Sequence, residues 1–169
     1  MRMTVPMEAG LGVRDLARMR TFYEQALGFE FVSEIRVPAD NAAAAALCTE
    51  GYTVTRLQTP YGERIKLLAR DGAVADTRPW PDFILDRPGA SYLTFITDAI
   101  PPVLHRAMAA GAQSLTGDEP VEVRPGVYLA FLRDPEGHVF ELVSYDDIAA
   151  YRPDLHKPSS PGGAASGKG

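Results

Sequence analysis

Two stretches of this chain repeat one another in register, and the repeat restricts the fold more than any other feature. The first opens with a short apolar run, Met7–Val13, then Asp15, then Leu16, Met19, Phe22, Tyr23, Ala26 and Leu27, which share one helical face. The second opens with Tyr92–Thr97 and Asp98, then Ile100, Val103, Leu104 and Ala107. Asp15 and Asp98 stand where N-caps belong. Gly28 and Gly111 stand where a helix stops in the left-handed conformation. Asp15 to Asp98 and Gly28 to Gly111 are both 83 residues. A chain of 169 residues with such a repeat reads as two copies of one supersecondary unit.

The two copies also end alike. Gly62 precedes Glu63–Leu68, and Gly137 precedes His138–Val143, an offset of 75, eight fewer than at the start. The first copy therefore carries an insertion, and the alanine-rich stretch Asp40–Leu47 predicts a short inserted helix capped by Asp40. Phe29–Val37, Tyr52–Thr59 and Arg64–Leu68 complete the strands of the first copy. Ala112–Leu115, Val127–Leu132 and Val139–Val143 complete the second, giving β-α-β-β-β twice. Residues 1–70 form the first module and 90–146 the second. The proline-rich stretch 71–89 between them is a linker, and its Trp80, Phe83, Ile84 and Leu85 predict that it packs on the surface. Asp146–Tyr151 adds a turn of helix. Residues 147–169 are a C-terminal extension, expected to be disordered from about 158 because PSSPGGAASGKG has almost nothing to bury.

Composition excludes several functions. Seventeen Lys+Arg against 22 Asp+Glu give a net charge of −5, which argues against a nucleic-acid or anionic-membrane binder. Cys48 is the one cysteine, so neither a disulfide framework nor a cysteine zinc site is expected. No apolar run approaches a membrane span and the N-terminus lacks a signal-peptide core, which predicts a soluble, cytoplasmic protein. There is no GxGxxG, GxxxxGK[ST] or GxSxG motif. Cys48 is expected to be a structural thiol, and His105, His138 and His156 to lie at the surface.

The segments GLGVRDLARMRTFYEQALGFEF, YLTFITDAIPPVLHRAMAAGA and FLRDPEGHVFELV resemble the vicinal oxygen chelate superfamily. This is the superfamily of glyoxalase I, extradiol dioxygenases, methylmalonyl-CoA epimerase and bleomycin-resistance proteins. The likeness runs from about Met7 to Tyr145. It implies an α+β fold in which two βαβββ modules curl mixed sheets into an open, barrel-like arrangement around a cavity. Its four metal-ligand positions fall here on Glu8, Lys66, Tyr92 and Glu141. Only Glu141 keeps a usual ligand type, and Lys66 sets a positive charge where a cation would bind. The expectation is no cofactor, with a hard divalent cation on Glu8 and Glu141 as the alternative.

The four residues admit two readings. They can form an ion-pair network filling a dead metal site. They can also transfer a proton, with Glu141 or Glu8 as base and Lys66 and Tyr92 steadying an oxyanion. Strand alternation adds Gly10, Arg64, Thr94 and Tyr128 as substrate-binding candidates. The leading expectation is a metal-independent lyase, isomerase or epimerase acting on a small carbonyl compound. The alternatives are a non-catalytic binder of the bleomycin-resistance type and a metal-dependent lyase or dioxygenase with carboxylate ligands. The apolar linker PWPDFIL adds the expectation of a homodimer.

Overall fold

A computed structural model describes residues 3–72 and 79–155. The whole of the expected disordered tail, His156 and residues 73–78 of the linker lie outside the described residues. The first repeat forms β1 (Glu8–Val13), α1 (Leu16–Leu27), β2 (Glu30–Val37), α2 (Ala39–Ala44), β3 (Tyr52–Gln58) and β4 (Arg64–Arg70). The second forms β5 (Tyr92–Ile96), α3 (Ile100–Ala109), β6 (Gln113–Ser114), β7 (Val121–Arg124), β8 (Val127–Arg133) and β9 (Val139–Tyr145), and α4 (Ile148–Tyr151) follows.

The sheets repeat one topology. One runs β1-β4-β3-β2, the other β5-β9-β8 with β6 and β7 both on the outer edge of β8. In each, the first strand pairs parallel to the last, Glu8 opposite Arg64 and Tyr92 opposite Val139. The chain is thus α+β, with sheets of four and five strands that do not close into a barrel. The strand that is continuous as β2 is broken in the second copy into β6 and β7. The sequence reading located β6 and missed β7, whose alternating Val121 and Val123 are both exposed.

One capping expectation holds and two fail. Asp15 accepts a hydrogen bond from the Arg18 amide, 3.0 Å, and Gly28 ends α1 with φ +74°. Asp98 does not cap α3. The N-cap is Ala99, and Pro101 and Pro102 fill the first turn, where a missing N–H leaves nothing to satisfy. Asp40 does not cap α2 either. It lies within the first turn, favourable to the helix dipole, while Pro38 takes the cap position.

Both helices lie on the same side of the sheets and pack against each other. Met19, Phe22, Tyr23, Leu57, Ile65 and Leu67 from the first repeat join Ile100, Leu104, Ala130, Leu132, Phe140 and Leu142 from the second in one core. Phe140 stands in the middle, its ring 6.1 Å from that of Phe22 and 6.0 Å from that of Phe95. Its side chain supports both repeats, so Phe140→Ala is expected to destabilise the protein by about 3–5 kcal/mol. Circular dichroism and core fluorescence should follow one shared transition at lower temperature. Two separated transitions would show that the repeats unfold independently.

Candidate functional site

Alternation divides each sheet into a face toward the helices and an open face. On the first sheet, Ala9, Leu11, Ile65 and Leu67 meet the core. Glu8, Gly10 and Gly12 of β1, Arg64, Lys66, Leu68 and Arg70 of β4, and Tyr52, Val54 and Arg56 of β3 share the other face through their register. A cavity of about 1010 Å³ lies there. Gly10 and Gly12 leave its floor open. Leu47, Cys48 and Thr49, in the loop after α2, form one wall. Trp80, Glu136 and His138 form the rim.

The eight candidate residues divide between two places. Glu8 lies 3.8 Å from Lys66 Nζ and 3.8 Å from Arg64 Nη1, with the Gly10 backbone beside them on the same face. Arg64 also donates to Gln58 Oε1, 2.7 Å. Tyr92, Thr94 and Glu141 sit on the second sheet. There Thr94 Oγ1 donates to Glu141 Oε2, 2.7 Å, and the Tyr92 ring meets Phe131 edge-on, centroids 5.0 Å apart. No hydrogen bond or ion pair among the described residues joins the Glu8 group to the Glu141 group. Tyr128 is on the wrong face for a pocket shared with Thr94. It is opposite Ser144 and lies on the same side as Ala130 and Leu132, which are in the core. A strand's periodicity sets which residues share a face, not which face is buried, and the expectation chose the wrong side of β8.

Glu8 is matched to two cations, and Glu141 receives a hydroxyl donor. No group of three or more His, Cys, Asp or Glu among the described residues is arranged to hold an ion. Cys48 is half-buried on the cavity wall, its Sγ 2.7 Å from the Glu50 carbonyl oxygen.

His138 corrects another expectation. It is half-buried at the junction of the repeats, not at the surface. Its Nδ1 is 2.9 Å from Asp134 Oδ2, and its Nε2 is 3.0 Å from the carbonyl oxygen of Gly12. Asp134 is only 3% exposed. It also accepts from the Tyr23 hydroxyl, 2.9 Å, and from the amides of Glu136 and His138. Burial, then the Asp134 charge and its hydrogen bond, push the Tyr23 hydroxyl well above its ordinary range. His105 is exposed, as expected.

The segment after the undescribed part of the linker folds back onto the chain at Trp80. The Trp80 ring covers the turn glycine Gly137, where a Cβ would collide with it and φ is +97°. Arg133 donates to the Pro81 carbonyl, 2.6 Å, and Arg87 to that of Pro79, 2.8 Å. A second recess of about 430 Å³ opens between this segment, β1 and β5. Phe83 and Leu85 remain exposed.

The comparisons agree with this architecture. A family model described as the Glyoxalase/Bleomycin resistance protein/Dioxygenase superfamily matches residues 7–142. Among solved structures, a glyoxalase family protein from Bacillus cereus is 20% identical, with a TM-score of 0.71, over 86% of this chain and 96% of that one. A glyoxylase/bleomycin resistance protein/dioxygenase domain from Frankia is 19% identical, with a TM-score of 0.61, over 86% and 95%. A glyoxalase I mutant from Zea mays is 20% identical, with a TM-score of 0.59, over 82% of this chain and 44% of that one. Likeness at this level concerns the fold alone. No curated protein matches the sequence significantly.

The environment of His138 makes stability pH-dependent. Burial, the largest influence, lowers its pKa. The hydrogen bond and charge of Asp134, the Gly12 carbonyl and Glu136 outweigh it, so the net shift is upward from 6.5. Both ring nitrogens face acceptors, so only the imidazolium satisfies both. A raised folded pKa contributes stability that is complete below about 6.5 and is lost as pH rises through the folded value. The stability gap between the wild type and His138→Gln is therefore expected to be wide at pH 5.5 and narrower at pH 8.5. Urea denaturation at both pH values measures it, and a gap that widens with pH would contradict the assignment.

Proposed function

The chain belongs to the glyoxalase/bleomycin resistance protein/dioxygenase superfamily, and from that premise we propose that it binds a small organic molecule on the open face of its first sheet, without a metal ion. The observation that carries this reading is the cavity of about 1010 Å³ over Gly10 and Gly12, walled by apolar and aromatic side chains with a few convergent charged groups. Concavity, apolar walls and a few placed polar groups are the usual marks of a small-molecule site. The donor set supports the metal-free part, because the side chain at one expected ligand position is the ammonium of Lys66.

A second reading is catalytic, and it is favoured by the ion-pair geometry at Glu8, which lies on the same face beside the cavity and is linked to it through Lys66. A carboxylate with an ammonium and a guanidinium each 3.8 Å away has the parts for moving a proton next to a carbonyl. Glu8 takes the proton from carbon and returns it. Lys66 and Arg64 hold the charge that develops on oxygen. Tyr92 and Glu141, on the other sheet, take no part. A substrate that exchanges its α-hydrogen for solvent deuterium with the wild type but not with Glu8→Gln supports catalysis. Unchanged recovery from both supports sequestration. Assembly as a homodimer through the exposed Phe83 and Leu85 belongs to the same proposal.

Gly12 offers a direct test of where ligand binds. A Cβ built there meets nothing within 4 Å, and the side chain would project into the cavity. Gly12→Leu is expected to leave the melting temperature within a few degrees, since exposed changes usually cost about 0.5 kcal/mol or less. It should abolish the stabilisation given by any compound that a thermal-shift screen selects with the wild type. Compounds that stabilise both proteins equally would place the ligand elsewhere.

A further inference from the structure

We propose that this cavity takes an anionic aromatic molecule, its carboxylate or phosphate held between Arg56 and Lys66. The inference rests on the cavity being the ligand site, as proposed above, and adds the chemical class of the ligand. Arg56 of β3 and Lys66 of β4 are direct partners across an antiparallel pair, and both line the cavity. Directly opposite residues hold their Cβ atoms roughly 4.5–5.5 Å apart, and like charges there are destabilising.

Among the described residues, the pair is only partly discharged. The Arg56 guanidinium has one hydrogen bond, a long one of 3.5 Å to the neutral Ser33 hydroxyl. Lys66 has only Glu8, at 3.8 Å, and shares that carboxylate with Arg64. The other two cations lining the cavity are matched. Arg70 pairs with Glu50, and Arg14 with Glu136. The chain as a whole carries a net charge of −5, so acidic side chains are plentiful, yet none of the described ones pairs with Arg56. An anion between the two groups would supply the missing charge. The planar guanidinium can grip it with two parallel N–H donors while the ammonium adds a point charge.

The rest of the lining selects the ligand's body. Tyr52 lies on the same strand as Arg56, and Trp80 stands at the rim. Val54 and Leu68 lie beside the cation pair on the sheet, with Leu47 on the wall. These surfaces suit a flat apolar group joined to the anion. A recess of about 1010 Å³ is the size of a small-molecule site, not of a nucleic-acid groove.

Trp80 is the one tryptophan of the chain, so its fluorescence reports on the cavity. The full-length protein is titrated with 1-naphthoate, 1-naphthyl phosphate and neutral 1-naphthamide. At least one of the two anions is expected to bind ten times or more tightly than the amide. The tighter anion shows which headgroup the site prefers. Arg56→Gln and Lys66→Gln are each expected to weaken the anion at least fivefold, leave the amide unchanged, and leave the melting temperature of the free protein unchanged or higher. An anion preference that survives both substitutions overturns the assignment. So does equal binding of amide and anions, and if Gly12→Leu abolishes that binding, the cavity still stands as the ligand site. Binding of all three that is unaffected by Gly12→Leu, or no binding at all, overturns both readings.

Discussion

The turn Asp134–His138 holds the two repeats together, and the site depends on it. The buried carboxylate of Asp134 gathers the Tyr23 hydroxyl from α1, the His138 ring and two amides of its own turn. Two residues on, Glu136 reaches the other repeat, its carboxylate accepting from the amides of Arg14 and Asp15, both 2.7 Å. Those amides lie just ahead of α1, where donors have no helical partner. His138 then reaches the Gly12 carbonyl on β1. One five-residue turn of the second repeat thus fixes the helix, the first strand and the loop between them in the first. Removing Asp134 leaves the buried Tyr23 hydroxyl unsatisfied, which is costlier than the hydrogen bond was worth.

The cavity inherits its shape from the same turn. Glu136 and His138 form part of its rim, and Gly137 leaves the space into which Trp80 settles. The matching turn of the first repeat, around Gly62, does nothing comparable. Its Thr59 hydroxyl bonds locally to Glu63. The pseudo-symmetry of the sequence is therefore broken where the chain builds its interface, and the cavity of about 1010 Å³ lies over the first sheet.

The two open faces differ in chemistry accordingly. The first carries Arg56, Arg64, Lys66 and Arg70 around a glycine-lined floor. The second carries Tyr92, Ile96, Leu129 and Phe131, with Glu141 and Thr94 satisfying each other. A protein with acidic overall balance thus presents a basic recess. Net charge describes solubility and long-range attraction. It does not describe the inside of a pocket, where the register of two strands sets which charges meet.

The sequence alone determined the elements and their order, β7 excepted. The period of apolar residues, the Asp15 cap and the Gly28 stop are local, and local chemistry decides them without help from the rest of the chain. The 83-residue repeat carried the topology, and alternation correctly grouped Glu8, Gly10, Lys66 and Arg64 on one face. Tertiary structure decided the rest. Asp98 matches Asp15 in sequence but not in role, because Pro101 and Pro102 start α3 one residue later, after Ala99. Tyr128 has the right period on the wrong side, because the face of β8 that is buried depends on where α3 and α1 pack. His138 gave no sign of burial because its partner outside its own turn, the Gly12 carbonyl, lies more than a hundred residues away in sequence. The placement of Lys66 opposite Arg56 likewise exists only once β3 and β4 are paired. A strand's residues fix what can share a face. Only the packing of one element on another fixes what that face meets.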